Sequence, residues 1–292
     1  MKRISLFMMT NIAVLLVIGA ITNLLGFDRY LTANGLDVGM LLAYSAVFGF
    51  AGSIISLMIS KMMAKRSMGV HIIETPESST EQWLVNTVHN LAERAQIGMP
   101  EVGIYEGAPN AFATGANKNN ALVAVSTGLM QGMTQEEVEA VLAHEVSHVA
   151  NGDMVTLSLI QGVVNTFVIF FSRLVGFAAS ALMRRGGSGV YIMATLVSQV
   201  VFGILASMIV NYFSRQREFR ADAGAARLMG TPSSMIKALQ RLGSMSSEPL
   251  PDSMAASGIG GATSSTFSAL FTTHPPLEKR IETLQTNMEY FQ

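Results

Sequence analysis

His144-Glu145-Val146-Ser147-His148 sets two imidazoles four residues apart, with a carboxylate beside the first. On a helix, residues four apart share a face, so both rings can grip one metal ion. Glu145 stands one step round from His144, where it can draw a proton from a metal-activated water. That is the chemistry of a zinc hydrolase. The bland alternative is a surface helix with two ordinary histidines. With five His in 292 residues, the pattern would be a rare accident. Cysteine is absent, which excludes disulfides and thiolate sites and leaves His, Asp and Glu to hold any metal.

A catalytic zinc needs a third protein ligand and a fourth position left for water. Glu218 and Asp222 lie four apart on a helix expected over 215–228, so they share a face. The helix bearing the His pair ends just before one apolar stretch, and the 215–228 segment begins just after the next. One hairpin therefore returns Glu218 to the side that His148 left. The rival is a solvated acid in the charged run Arg215, Arg217, Glu218, Arg220, Asp222, and spacing alone leaves both readings open. His71 and His89 read as ordinary surface or packed residues. His274 precedes a rigid Pro275-Pro276, which fixes the local chain direction, but spacing alone favours no function for it.

These residues must be carried by a membrane protein. The chain is 50% apolar and only 13% charged, against about 25% charged in soluble domains. A net charge of -1, with no basic cluster interleaved with aromatics, argues against nucleic acid. Four apolar stretches, about 4–27, 38–60, 155–183 and 188–214, are each long enough to cross a bilayer. The first lacks a nearby small-x-small cleavage site and reads as an uncleaved anchor. Ser45, Gly49 and Ser53 recur at four-residue intervals in the second, which suits close helix packing. Lys2 and Arg3 before the first pair of stretches, and Lys61, Lys65 and Arg66 after it, place both termini and the site in the cytoplasm. Arg184 and Arg185 at the tip of the second hairpin resist that assignment. Arg173 is costly in lipid without a partner. Spanning is favoured over a hairpin embedded in protein.

The expected organisation has four parts: a membrane hairpin over 1–60, a cytoplasmic domain over 61–154, a second hairpin over 155–214, and a cytoplasmic part over 215–292 that completes the site. Within the domains, apolar spacing predicts a helix over 79–95, and strands are expected over 101–105 and 122–126. A loop containing Asn110-Ala111-Phe112-Ala113-Thr114-Gly115 should join those strands. Thr134-Gln135-Glu136-Glu137 is a capping box that starts the helix of the His pair, and Asn151-Gly152 closes it. Short helices are expected over 231–242 and 279–288, with a mobile Ser/Gly/Ala-rich loop over 244–266. The fold class is thus mainly α and integral to the membrane, with about four spans and a cytoplasmic α+β domain carrying the zinc motif.

The His144–His148 motif with Asn151-Gly152-Asp153, the segment Glu218-Phe219-Arg220-Ala221-Asp222, the stretch 110–115 and His274-Pro275-Pro276 together resemble the HtpX-type membrane zinc endopeptidases, bacterial relatives of the CAAX prenyl proteases. The resemblance runs over essentially the whole chain. It implies that the cytoplasmic α+β domain is a gluzincin-type zinc peptidase holding one zinc ion per chain, with His144, His148 and Glu218 as ligands and Glu145 as base. It implies that Asp222 orients a ligand imidazole, that His274 helps to hold the oxyanion, and that Asn110, Ala111, Phe112 and Ala113 present an edge strand to an extended substrate. Family likeness also implies a bacterial inner-membrane protease of quality control under stress. Its partners would be polypeptide substrates, chiefly membrane proteins, the lipid bilayer and other quality-control proteases.

The expected reaction is peptide-bond hydrolysis, within about 10 Å of the lipid surface because the ligand helices adjoin the apolar hairpin. Two alternatives remain. A prenyl-protein protease would need a membrane chamber, for which four apolar stretches are few. A non-catalytic scaffold clipped by a metal would leave Glu145 without a purpose.

Overall fold

The computed structural model describes residues 37–183, 187–245 and 273–286. The apolar stretch 4–27, the tip residues Arg184 and Arg185, and most of the expected loop 244–266 lie outside them. The chain divides into two compact units, one from Met1–Ile55 with Ser158–Val210, the other from Ser56–Leu157 with Asn211–Gln292.

The described part of the first unit is helical. It takes the N-terminal part of α1 (Val38–Ser67) and most of α5 (Asp153–Leu182) and α6 (Gly187–Met229). Among the described residues these three helices are long and apolar enough to cross a membrane. Ser45, Gly49 and Ser53 form the buried stripe of α1, as their spacing predicts. The stripe lies against α5: Ser158 Oγ donates to the Ser53 carbonyl at 2.8 Å, and a Cβ on Gly49 would fall 2.7 Å from the Thr166 nitrogen. Val38 and Leu41 pack on Phe170, while Ile160 and Val164 of α5 pack on Ala206 of α6. Met40, Val47 and Phe48 of α1 and Val197, Val200 and Val201 of α6 stand exposed, as residues facing lipid do. Arg173 has a partner. Its Nη2 donates to the Tyr44 hydroxyl at 3.0 Å, and its guanidinium lies 4.4 Å from the centre of that ring.

The second unit carries the sheet and the His pair. β1 (His71–Ile72), β2 (Glu101–Tyr105), β3 (Ala111–Asn117) and β4 (Asn120–Ser126) form a sheet in the order β1-β2-β4-β3. β2 runs parallel to β4, and the other pairs are antiparallel. The stretch 111–115, a loop by local spacing and an edge strand by the family resemblance, is part of an edge strand. Its small residues carry little strand propensity by themselves; they acquire the conformation by pairing Ala111 with Val125 and Ala113 with Val123 across a tight turn at Lys118-Asn119. Burial alternates regularly from Ala111 to Gly115, but the buried residues are small and Phe112 lies on the other face, so no apolar alternation shows in the sequence. A register shift between Thr114 and Asn117 marks a bulge beyond it.

Helices α2 (Ser79–Arg94) and α4 (Gln135–Asn151) cover the sheet, with α3 (Thr127–Gly132) between them in sequence. Leu84, Val88 and Leu91 of α2 and Val138, Val141, Leu142 and Val146 of α4 share one core with Val123 and Val125 of β4. Met235 and Leu239 of α7 (Ser233–Met245) and Leu277 and Leu284 of α8 (Leu277–Thr286) close it. The C-terminal end of α1 is fastened to this sheet through Glu101, which pairs with Lys61 at 2.9 Å and with Lys65.

Candidate metal centre

The helix of the His pair starts and stops where the sequence says. Thr134 accepts from the Glu137 amide at 3.3 Å, and the Glu137 carboxylate accepts from the Thr134 amide at 2.8 Å. These two bonds satisfy donors that the first turn would otherwise leave free. At the other end Gly152 adopts φ 68, a left-handed conformation that a side chain would strain. Asp153 then opens α5 at once.

The two imidazoles meet edge-on, with Nε2 atoms 3.1 Å apart. Glu218, on α6, closes the triangle: its oxygens lie 3.4 Å from His144 Nε2 and 3.3 Å from His148 Nε2. All three side chains are buried, and their ligand atoms lie within 4.8 Å of one another. Each ring has its other nitrogen on a carboxylate. His144 Nδ1 lies 2.9 Å from Asp222, and His148 Nδ1 lies 2.7 Å from Asp153. A proton on each Nδ1 leaves both Nε2 lone pairs aimed at one point, beside a carboxylate and away from water. Only a positive charge makes that arrangement favourable, so the donor set fits a divalent cation.

The electrostatics agree. Burial works against a charged His148, yet Asp153 and Glu218 outweigh it and lift its pKa to about 10. A bound cation would occupy the place of that proton. Burial would raise the Glu218 carboxyl, but the two histidines hold it well below the ordinary range. Burial likewise opposes ionisation of Asp222, and Arg280 brings its pKa to about 2. Glu145 behaves differently. Its carboxyl is pushed up, mainly by burial, against the pull of the His pair and of a hydrogen bond from the Ala113 amide. A carboxyl raised in this way takes up and releases a proton more readily near neutral pH.

The structure gathers His144, Glu145, His148, Glu218, Asp222 and His274 around one centre. His274 is partly exposed, with Nδ1 3.5 Å from Glu218, and burial lowers its pKa. Ala113 reaches Glu145 from the edge strand. Asn110, just before that strand, exchanges hydrogen bonds with Ser126 of β4: its amide donates to Ser126 Oγ, and its carbonyl accepts from the Ser126 amide, both at 2.9 Å.

Two residues at the centre escaped the reading of the sequence. Arg280 is fully buried, donates to both Asp222 oxygens at 2.8 and 2.6 Å, and lies 3.7 Å from Glu218. It shares the buried face of α8 with Leu277 and Leu284, so a cation on an apolar stripe was the available signal. Asp153 was seen only within the motif Asn151-Gly152-Asp153, with no role of its own.

A buried His-Glu-x-x-His helix completed by a glutamate on a following helix, in a chain with membrane-capable helices, defines a membrane metallopeptidase. The comparisons give the particular family. Residues 78–288 match the model of peptidase family M48. The chain is 59% identical over 291 residues to a protease HtpX homolog of Paracidovorax citrulli, covering 98% of this chain and 99% of that one. It is also 58% identical to the protease HtpX homolog of Acidovorax ebreus over 293 residues, with the same coverage, and 59% identical to that of Herminiimonas arsenicoxydans over 293 residues, again with 98% and 99% coverage. The crystal structure of S. mikatae Ste24p shares the fold, with TM-score 0.62 and 18% identity over 97% of this chain and 67% of that one. The chain belongs to peptidase family M48, as an HtpX-type membrane metalloendopeptidase. The mainly α membrane fold with a small sheet is as the sequence predicts, with three of the four apolar stretches among the described residues.

Proposed function

We propose that the metal is zinc, one ion per chain, held by His144, His148 and Glu218, and that the protein hydrolyses misfolded or damaged membrane proteins at the cytoplasmic face of the inner membrane during stress. The observation that carries this reading is the convergence of two imidazole Nε2 atoms and a buried glutamate beside Glu145 and a strand edge.

When bound, zinc lowers the pKa of water and polarises a carbonyl. The protein's own residues do the rest. The outer edge of β3, in the stretch from Asn110 through Ala113, binds substrate backbone as an added strand, which favours unfolded polypeptide over any particular sequence. Glu145 accepts the proton of the attacking water and passes it to the departing amine nitrogen as the C–N bond breaks. His274 stands where it can donate to the carbonyl oxygen as that atom gains charge, a kind of contact typically worth about 3 kcal/mol. Asp222 holds His144 in its Nδ1–H form. The hairpins 1–60 and 155–214 are read as the membrane anchor, with 61–154 and 215–292 and both termini in the cytoplasm. Membrane proteins, the bilayer and other quality-control proteases are the proposed partners.

The test is purification in detergent with chelator, followed by zinc addition and cleavage of an unfolded protein, beside Glu145→Gln. Zinc-triggered cleavage that is lost in E145Q, with zinc still bound by the variant, is expected. Equal cleavage by the variant overturns the base assignment, and cleavage of a prenylated peptide alone shifts the substrate to lipidated tails.

A further inference from the structure

The two carboxylates that hold the His pair come from different places. Asp222 sits on α6, one turn beyond Glu218, and is neutralised by Arg280. Asp153 is the first residue of α5, a helix long enough to cross a membrane. It is 1% exposed, with Oδ2 2.7 Å from His148 Nδ1. Its main chain is engaged as well: Arg217 Nη1 donates to the Asp153 carbonyl at 2.9 Å. Arg217 is itself buried, with Nη2 on Ser214 Oγ at 3.0 Å, and it immediately precedes Glu218. Arg220 lies 3.8 Å from the other Asp153 oxygen and is half exposed.

Asp153 is therefore bonded through its side chain to one ring of the centre and through its carbonyl to the residue beside Glu218. An acid in the first turn of a helix can serve the helix dipole alone. Such an acid needs no burial and no fixed partner, whereas Asp153 has both.

We propose that Asp153 is a positioning residue for the metal. It keeps His148 as the Nδ1–H tautomer with its Nε2 lone pair on the centre, and with Arg217 it sets the α6 segment that presents Glu218 against the same point. The proposal rests on the reading of His144, His148 and Glu218 as metal ligands. Orientation of His148 is then supplied from the first residue of α5, and the start of that helix belongs to the metal site.

The test uses the full chain in detergent, stripped by chelator, then titrated with zinc against a competing chromophoric chelator and separately with cobalt. Asp153→Ala is expected to lose zinc affinity about 10- to 100-fold and to change the visible spectrum of bound cobalt. Asp153→Asn retains an oxygen acceptor for Nδ1–H, so it should lose only several-fold with a smaller spectral change. Should the alanine variant fail to fold, D153N carries the comparison. D153N with wild-type zinc affinity and an unaltered cobalt spectrum overturns the proposal, as does a variant that merely melts earlier, the signature of a helix-dipole role. Wild-type protein that binds neither metal overturns the ligand reading, and this inference with it.

Discussion

Gly224 of α6 lies directly against Ser147 of α4, so closely that a Cβ on Gly224 would fall 2.8 Å from the Ser147 Cβ and 2.6 Å from its Oγ. Ser147 is flanked by the residues of the His pair, and Gly224 follows Glu218 by under two turns. The helix crossing at these two small residues is what lets Glu218 reach both imidazoles.

Gly224→Ala should therefore act on the metal as well as on the fold. The new methyl forces the helices apart at a cost of about 1–3 kcal/mol, partly offset by roughly 1 kcal/mol of helix propensity. Zinc affinity should fall, and Ser147→Gly in the same chain should restore it by returning the lost space. A double variant no better than G224A in a metal titration would sink this account of the crossing.

Arg280 is the counter-charge of the buried centre. Arg280→Leu leaves the ionised Asp222 away from water with only the His144 ring as a partner, and removing one partner of a buried pair costs about 3–5 kcal/mol. Chemical unfolding of the metal-free protein should show that loss, with Arg280→Lys recovering a part of it. A leucine variant as stable as the parent would mean that Asp222 reaches another partner or water.

Edge-strand binding makes a demand on the substrate. A peptide N-methylated at a backbone amide that pairs with β3 should bind about tenfold more weakly, the equivalent of one lost hydrogen bond. Methylation at the alternate amides, which face away from a β3 partner, should matter little. Equal binding by both series, measured as inhibition of cleavage, is incompatible with an added strand.

Glu101 offers a pH-dependent contribution away from the centre. Burial would raise its carboxyl, but hydrogen bonds and charge from Lys65 and Lys61 hold it below the ordinary value of 4.5. A depressed carboxylate contributes stability that is present above the unfolded pKa and lost as pH falls through the folded one. The side chain is 39% exposed, so solvent screening limits the contribution to under about 1 kcal/mol. Glu101→Gln should be slightly less stable than the parent at neutral pH. The two should converge in acid, once the folded-state carboxyl is protonated, and a gap that persists there would assign the effect to packing instead.

Local signals carried the sequence reading a long way at the centre. Helix start and stop residues, a four-residue repeat of imidazoles and a paired Glu218 and Asp222 each speak within a few positions, and backbone physics translates them directly. Local spacing suggests a loop at β3 because its conformation comes from pairing with β4 and its buried residues Ala111, Ala113 and Gly115 are small, with Phe112 on the other face. The family resemblance alone implies an edge strand there. Arg280 was overlooked because a cation on the apolar face of α8 makes sense only opposite Asp222, a relation no local window contains. The helix expected over 215–228 is continuous with the apolar stretch before it. α6 runs from Gly187 to Met229 without interruption, since a change from apolar to charged residues alters what a helix faces and leaves its hydrogen bonding intact.

The joint between α4 and α5 is a single residue, Gly152. Connections between helices ordinarily absorb insertions and deletions, because slack in a surface loop costs little. This one has no slack to give. An added residue would turn the start of α5 by about 100° and carry Asp153 away from His148, while a deletion would fuse the two helices into one. At this point the number of residues in the chain is itself a constraint, separate from which residues they are.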